Sequence, residues 1–223
     1  IDINSFTKNF DYQELKRIKD KLSNNEDTRF LIWAGRPVKV KRLDFLIDSF
    51  KYIKEEIPNT KLIIVGDFSS NNYALEIIKN LNSKLNQSII FYPKGADHKL
   101  LAKLFKISDI YLHTSSYEGF GVVLAEAALS GLTSVSTYND GALEIIENNK
   151  TGIIVRNDSP IYFAKNVIRI LKNETLRKRL GLNAKKNAIQ KFNRKINLEK
   201  RFLLWEKVSK SGIKSEFDLS KLI

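Results

Sequence analysis

Short apolar runs alternate along the chain with longer stretches whose apolar residues follow helical spacing. The runs are rich in β-branched and aromatic residues and are apolar at consecutive positions, which is typical of strands covered on both faces. The pattern predicts an α/β fold: a Rossmann-like, doubly wound parallel sheet of about six strands with helices on both faces. The six runs read RFLIWAG, TKLIIVGD, SIIFYPKG, DIYLHTSS, TSVSTYND and GIIVRND.

The region after the last run, from Glu174 to Ser209, predicts two further helices, with Gly181 interrupting the first. This organisation divides the chain into a leading helix and linker over 1–28, a main domain over 29–192, and a C-terminal helix and tail over 193–223.

Composition sets limits on the class of protein. With 223 residues and 43% hydrophobic residues, the chain can form a substantial core. It has no run of 18 apolar residues, so no transmembrane helix is expected. There is no signal-peptide pattern and no cysteine, which favours a cytoplasmic protein without disulfides or cysteine-bound metal.

The net charge of +13 favours anionic partners. Three are compatible with it: phosphorylated ligands, the anionic cytoplasmic face of a membrane, and nucleic acid. Zinc-finger spacing and the aromatic signature of RNA-binding domains are both missing, which makes nucleic acid the minor hypothesis. Much of the charge lies in the C-terminal helices, where a solvated helix face explains it equally well.

Chemically distinctive residues follow the predicted strands. Gly35 and Arg36 follow the first, Lys94 and Gly95 the third, and the segment 118–121 the fourth. In a parallel sheet, ligands bind beyond the carboxyl ends of the strands. We therefore expect one edge of the sheet to collect glycines, cations and an acid.

The Gly-Phe-Gly segment at 119–121 precedes a predicted helix. Glycines allow close backbone approach, and a helix N-terminus offers N–H groups and a positive dipole end, which suits a phosphate or diphosphate. Glu126 follows about one and a half turns into this helix, where it could accept hydrogen bonds from ribose hydroxyls. The alternative for Glu126 is a partly exposed helix position without a ligand.

These residues carry a resemblance to a known family. SSYEGFGVVLAEAALSGL resembles the glutamate, seven residues, glutamate signature of retaining GT-B glycosyltransferases of family 4 (glycosyl transferases group 1). WAGRPVKVKRLDFLIDSF is similar to the family's Gly-Arg segment with its downstream lysine. The likeness runs from Phe30 to Val155, and more loosely to Phe192.

The resemblance implies roles for the acidic segment. Glu126 corresponds to the glutamate that holds the ribose hydroxyls of the sugar nucleotide, and Glu118 to the one that contacts hydroxyls of the donor sugar. The backbone of Gly119, Phe120 and Gly121 corresponds to the loop beside the sugar and diphosphate.

It also implies roles for the basic residues. Arg36 and Lys41 correspond to the pair that neutralises the diphosphate, next to Gly35, and with Glu118 they form the expected catalytic set. Lys94 and Gly95 correspond to the loop beside the nucleobase. Asp-x-Asp, the carboxylate pair that holds a divalent ion in other glycosyltransferases, does not occur in the sequence. We therefore expect no metal and no cofactor, with a UDP- or GDP-linked donor favoured over an ADP-linked one.

The sequence departs from the family pattern at several positions. Arg42 stands where a glycine usually follows the lysine, and Phe68 stands where a glycine usually follows Gly66 and Asp67. The change at Phe68 puts any backbone contact from that loop in doubt.

The resemblance covers one half of the family's two-domain architecture. It implies that this chain is the C-terminal, donor-binding half, that an N-terminal acceptor domain is its partner, and that it binds a sugar nucleotide weakly and is inactive alone. The parent enzyme would transfer a hexose to a glycan or lipid acceptor with retention of configuration. Two alternatives stay open: a GT-B-like sugar-nucleotide epimerase and a non-catalytic basic binding module. For His98 and His113, a surface or packing role is favoured.

Overall fold

The computed structural model describes residues 1, 3–69, 72–81, 83–192 and 194–210. Its centre is a parallel sheet of six strands in the order β3-β2-β1-β4-β5-β6, which confirms the predicted fold class. Each strand coincides with one of the apolar runs of the sequence. The strands are β1 (Arg29–Ala34), β2 (Thr60–Val65), β3 (Ile89–Tyr92), β4 (Ile110–His113), β5 (Thr133–Thr137) and β6 (Ile153–Val155).

Helices cover both faces of this sheet. The stretch after β2, which has one continuous helical pattern, forms two short helices rather than one. The helices are α1 (Ile3–Thr7), α2 (Tyr12–Leu22), α3 (Leu43–Glu56), α4 (Asn72–Lys79), α5 (Ser83–Asn86), α6 (His98–Ile107), α7 (Val122–Leu129), α8 (Asp140–Ile145), α9 (Pro160–Leu171), α10 (Glu174–Phe192) and α11 (Arg194–Lys210).

Two hydrophobic cores lie on opposite faces of the sheet. Leu31 and Trp33 of β1 point into the core shared with α3 and α9, whereas Phe30 and Ile32 point into the core shared with α6 and α7. Successive side chains of a strand alternate between faces, so strands covered on both sides are mostly apolar at consecutive positions, although β5 buries the hydroxyl side chains of Thr133, Ser134, Ser136 and Thr137. This is the physical reason for the consecutive apolar runs.

Gly181 does not interrupt the C-terminal helix, and the prediction that it would is wrong. Helix α10 continues through it from Glu174 to Phe192. A Cβ at Gly181 would collide with the carbonyl oxygen of Gly131, the residue that follows α7 and its C-cap Ser130. The glycine therefore allows α10 to lie directly on this turn, and its role is close packing.

Asp109 links several elements at the amino end of the sheet. Its carboxylate accepts a hydrogen bond from the backbone N–H of Phe30 at 2.9 Å, and it pairs with Arg177 of α10 at 3.0 Å. These contacts link β1, the start of β4 and α10 at the end of the sheet opposite to the glycine-containing loops.

The terminal regions were predicted as separate segments, 1–28 and 193–223. Phe6 of α1 is buried in the core under α6 and α7. At the other end the structure describes α11 to Lys210, and the rest of the predicted tail, 211–223, lies outside the described residues.

No helix in the described part of the chain is both long enough and apolar enough to cross a membrane.

Candidate functional site

A cavity of about 360 Å³ opens beyond the carboxyl ends of β1 and β4. These two strands are neighbours at the centre of the sheet, and the order of strands reverses between them. Loops leave them toward opposite faces, which forms the crevice where doubly wound folds bind ligands. The lining residues are Trp33, Ala34, Gly35, Arg36, Lys41, Tyr111, His113, Ser115, Glu118, Gly119, Phe120, Gly121, Val122, Val123 and Leu124.

Hydrogen bonds to backbone carbonyls hold the loop after β1 against the loop after β4. The chain forms a 3-10 turn at Lys39–Lys41 before α3 begins. The Thr114 hydroxyl donates to the Lys41 carbonyl at 2.8 Å, and the Ser116 N–H donates to the Val40 carbonyl at 2.9 Å. These bonds place the Lys41 side chain beside the segment that carries Glu118.

The loop after β5 supports the same segment from the other side. The Asn139 side-chain amide donates to the Ser115 carbonyl at 3.1 Å, and the Gly141 N–H donates to the Glu118 carbonyl at 2.9 Å. A Cβ at Gly141 would lie 2.7 Å from that carbonyl oxygen and 2.9 Å from Glu118 Cγ. Gly141 is therefore required for the close approach, a role that the sequence pattern alone did not indicate.

The side chains of Lys41 and His113 both approach the same carboxylate oxygen of Glu118. Lys41 Nζ donates to Glu118 Oε2, and His113 Nε2 lies 3.6 Å from that atom. The His113 imidazole and the Lys41 ammonium lower the pKa of Glu118 to about 2. Glu118 is consequently an anion at neutral pH, suited to accept hydrogen bonds from sugar hydroxyls.

His113 belongs to this site, and sequence reasoning missed it. The residue is 4% exposed, its Nδ1 lies 2.9 Å from Ser136 Oγ, and its Nε2 lies 3.3 Å from Ser115 Oγ. Burial lowers the pKa of His113, against the opposing effect of the Glu118 carboxylate, so the ring is neutral at pH 7. The available signal was its position, the last residue of a strand at the ligand-binding edge.

The glycine segment opens α7 as predicted. Gly121 caps the helix with φ at +83°, in the left-handed region that favours glycine. The first N–H groups of a helix have no partner within it, so this end of α7 offers donors to a ligand in the cavity. Phe120 lies at the mouth and packs edge-on against Phe192 at the end of α10, with ring centroids 5.4 Å apart.

Glu126 lies in α7, whose first residues line the cavity, but it is not among the described residues that line it. It is 4% exposed, which excludes the alternative of a partly exposed helix position. Nearby, the Tyr111 hydroxyl donates to the Ala34 carbonyl at 3.2 Å. Burial, together with the negative charges of Glu118 and Glu126, raises the pKa of Tyr111. Glu126 thus acts electrostatically on Tyr111, a residue that lines the cavity.

The predicted site residues are brought together in part. Gly35, Arg36 and Lys41 line the cavity with Glu118 and the glycine segment 119–121. Among the described residues, Lys94 and Gly95 do not line it. They follow the edge strand β3, where Lys94 forms an isolated antiparallel bridge with Asp67.

Two of the departures from the family pattern, Arg42 and Phe68, also have structural explanations. Arg42 adopts the left-handed conformation, with φ at +55°, which is why a glycine is favoured there. Its guanidinium lies 4.1 Å from the centre of the Phe45 ring and pairs with Asp158. Phe68 turns inward and is 2% exposed, packing against Phe91.

The fold and the cavity define a domain built to bind a ligand at the switch point of a doubly wound sheet. Residues 15–187 match the family described as glycosyl transferases group 1. Because the match covers most of the chain, the chain belongs to this family, as the resemblance had indicated.

Similar proteins are found among characterised sequences and solved structures. The chain is 28% identical over 180 residues to N-acetyl-alpha-D-glucosaminyl L-malate synthase of Bacillus anthracis, covering 81% of this chain and 46% of that enzyme. The structure of Anabaena HepE in complex with UDP-glucose is similar with a TM-score of 0.77 and 25% identity, covering 92% of this chain and 56% of that one.

A second similar structure is itself a single domain. It is the C-terminal domain of the glycosyl transferase group 1 family protein LpcC of Francisella tularensis. The TM-score is 0.72 at 20% identity, and the match covers 86% of this chain and 98% of that one. The chain spans about half the length of the curated relatives it matches.

Proposed function

We propose that this chain is the donor-binding domain of a retaining glycosyltransferase that transfers a hexose from a nucleotide diphosphate sugar to a glycan or lipid acceptor. One observation carries the proposal. A single cavity at the switch point is lined by two cations, a carboxylate and the N-terminus of α7. This combination matches the chemistry of a sugar diphosphate, with a polyanion at one end and hydroxyl groups at the other.

Different residues of the cavity would bind different parts of the ligand. Arg36, Lys41 and the N–H groups at the start of α7 would hold the diphosphate, and Glu118 would accept hydrogen bonds from the sugar. Departure of a nucleoside diphosphate builds negative charge, which fixed cations and aligned N–H groups stabilise in the transition state. On this basis the leaving group needs no divalent ion.

The choice of donor rests on the similar proteins and on the residues of the site. HepE binds UDP-glucose in its crystal structure, which supports a UDP-linked sugar here, with a GDP-linked sugar as the next candidate. Glu126 would hold the ribose, which these nucleotides share. The spacing of Glu118 and Glu126 supports the retaining class over an epimerase.

The partner of this domain would be an acceptor-binding domain of the same enzyme, since the chain spans about half of its relatives. We infer that the chain alone binds donor without transferring sugar. The parent enzyme would work in the cytoplasm, where sugar nucleotides are available, and its basic surface would suit the anionic inner face of the membrane.

Isothermal titration calorimetry tests the proposal. The chain is titrated with UDP-glucose, UDP-N-acetylglucosamine, GDP-mannose and ADP-glucose, each with and without EDTA. We expect a UDP- or GDP-linked sugar to bind regardless of EDTA, and Arg36→Ala to weaken that binding about tenfold or more. Lys39→Ala is the matched control, since Lys39 is an exposed cation of the same loop outside the cavity lining.

Three results would contradict the proposal. The first is that no sugar nucleotide binds. The second is salt-dependent binding of DNA that Arg36→Ala leaves unchanged, which would favour the basic binding module. The third is the appearance of an epimerised sugar nucleotide in the titration mixture, which would favour the epimerase.

A further inference from the structure

Lys41 has two alternative anionic partners at the site, the Glu118 carboxylate and the diphosphate of the proposed donor. In the ligand-free structure it donates to Glu118 Oε2, yet the proposed function requires its ammonium for the diphosphate. The side chain is long and flexible, so it can turn from one anion to the other. When it does so, the Glu118 carboxylate loses one of its two neighbours.

The other neighbour, His113, cannot move in the same way. Its ring is buried at the end of β4, and Ser136 of β5 lies 2.9 Å from Nδ1. Neighbouring strands therefore fix its position relative to Glu118 Oε2, 3.6 Å from Nε2. A movement of a few tenths of an ångström by the carboxylate would bring this pair to hydrogen-bond distance.

The directions of two hydroxyls influence which ring nitrogen carries the proton. Ser115 Oγ lies 3.3 Å from Nε2 and can donate to that nitrogen or accept from it. The Ser136 hydroxyl has one hydrogen and two acceptors within reach, His113 Nδ1 at 2.9 Å and the Thr137 carbonyl at 2.7 Å. If it donates to Nδ1, the neutral ring carries its proton on Nε2 and can donate to Glu118. The carboxylate favours that tautomer, because an unprotonated Nε2 would face it with a lone pair.

We propose that His113 is a positioning residue whose Nε2–H holds the Glu118 carboxylate in place for the donor sugar when Lys41 turns to the diphosphate. This role rests on the donor-binding function proposed above. It predicts that His113 matters for the sugar part of the ligand and not for the nucleotide part.

The test compares a sugar nucleotide with the matching free nucleoside diphosphate. The sugar nucleotide is the one that binds most tightly in the panel above, and the free diphosphate is UDP if that donor is UDP-linked and GDP if it is GDP-linked. His113→Leu should weaken binding of the sugar nucleotide by about five- to tenfold, the scale of one hydrogen bond to a charged group. Binding of the free diphosphate should change by less than about twofold. His113→Gln should restore most of the loss, because its amide can place an N–H donor near the position of Nε2.

Controls separate this role from a purely structural one. His98→Leu removes the other histidine, which is exposed at the start of α6, and should leave both affinities unchanged. A structural role would instead make His113→Leu weaken both ligands equally, without rescue by glutamine, and that result would overturn the proposal.

A second measurement does not depend on any variant folding. A long-range ¹H–¹⁵N spectrum of the histidines should show His113 neutral with its proton on Nε2 in the complex with the sugar nucleotide. A proton on Nδ1 alone in that complex would overturn the proposal. Failure of every nucleotide to bind wild-type protein would instead overturn the donor-binding function itself.

Discussion

Glu118 and Glu126 belong to one sequence signature but lie in different surroundings, and we expect their substitutions to differ. Glu118 lines the cavity, whereas Glu126 is buried in α7 and is not among the described residues that line it. Glu126→Ala should weaken binding of the sugar nucleotide and of the free diphosphate alike, by about tenfold, because ribose contacts do not depend on the sugar.

Glu118→Ala should weaken binding of the sugar nucleotide alone. Since Glu118 holds Lys41 in the ligand-free site, its removal should leave affinity for the free diphosphate unchanged or increase it. Titration of both variants with both ligands measures the difference. Equal losses for both ligands in both variants would refute this division of roles.

His113 gives the stability of the protein a pH dependence. Because its folded-state pKa lies below the ordinary value of 6.5, the unfolded chain binds a proton that the folded protein does not. Stability from this residue is present above about pH 6.5 and is lost as the pH falls. The groups facing the ring are Glu118, Lys41 and the neutral Tyr111.

His113→Leu should therefore flatten the decline in stability on acidification. Urea unfolding between pH 7.5 and 5.5 measures it, and the slope should differ by at most about 1.4 kcal/mol per pH unit. The test rests on the slope of the free energy of unfolding against pH, and not on its absolute value at any one pH. Parallel curves for wild type and variant would show that the ring titrates equally in both states.

Arg42 offers a test of backbone strain at a residue whose side chain also makes contacts. Arg42→Ala and Arg42→Gly both remove the contacts with Phe45 and Asp158, but glycine alone relieves the left-handed conformation. The glycine variant should be more stable than the alanine variant by about 1 kcal/mol in urea unfolding. An alanine variant equal to or more stable than the glycine variant would contradict this interpretation.

The sequence identified the chemically distinctive residues but not all of their contacts. Arg36, Lys41 and Glu118 were predicted from their places after strands and from the family signature. The contact of His113 with Glu118 was not predicted, because a lone histidine at a strand end has no distinctive spacing. The burial of Glu126 also depends on how α7 packs, which the sequence pattern leaves open.

At the scale of elements, the packing of α10 on the turn after α7 is the feature most easily tested. Gly181→Ala places a Cβ against the Gly131 carbonyl, so it should lower the free energy of unfolding by about 2 kcal/mol or more. Alanine normally stabilises a helix relative to glycine by about 1 kcal/mol, so the expected sign is reversed. Lys178→Ala, on an exposed position of the same helix, is the control. A stabilised Gly181→Ala variant would show that the contact is not tight.

The strands were predictable as elements, but the detail of several helices was not. Consecutive apolar residues require cover on both faces, which fixes the class of sheet without knowledge of contacts. The glycine in α10 was misinterpreted because its reason is a contact with Gly131, fifty positions earlier. Helix propensity depends on the local sequence, so it does not predict a contact with a residue so far away along the chain.

At the scale of the whole molecule, the cations of the site should matter most for turnover in the complete enzyme. Under the proposed function, Arg36→Ala and Lys41→Ala in that enzyme should each lower kcat by on the order of a hundredfold, because their charge would stabilise the departing diphosphate. Steady-state kinetics with and without Mg²⁺ measure this. Turnover within about twofold of wild type, or a strict requirement for Mg²⁺, would show that these two cations do not serve to stabilise the departing diphosphate.

The central claim is that the cavity between the loops after β1 and β4 holds a nucleotide diphosphate sugar. A crystal structure of this chain with the sugar nucleotide that binds most tightly tests it most directly. The account predicts the diphosphate between Arg36, Lys41 and the start of α7, the sugar hydroxyls on Glu118, and the ribose on Glu126. A nucleotide bound elsewhere, or one in the cavity with Lys41 still paired to Glu118 and the diphosphate away from both cations, would contradict it.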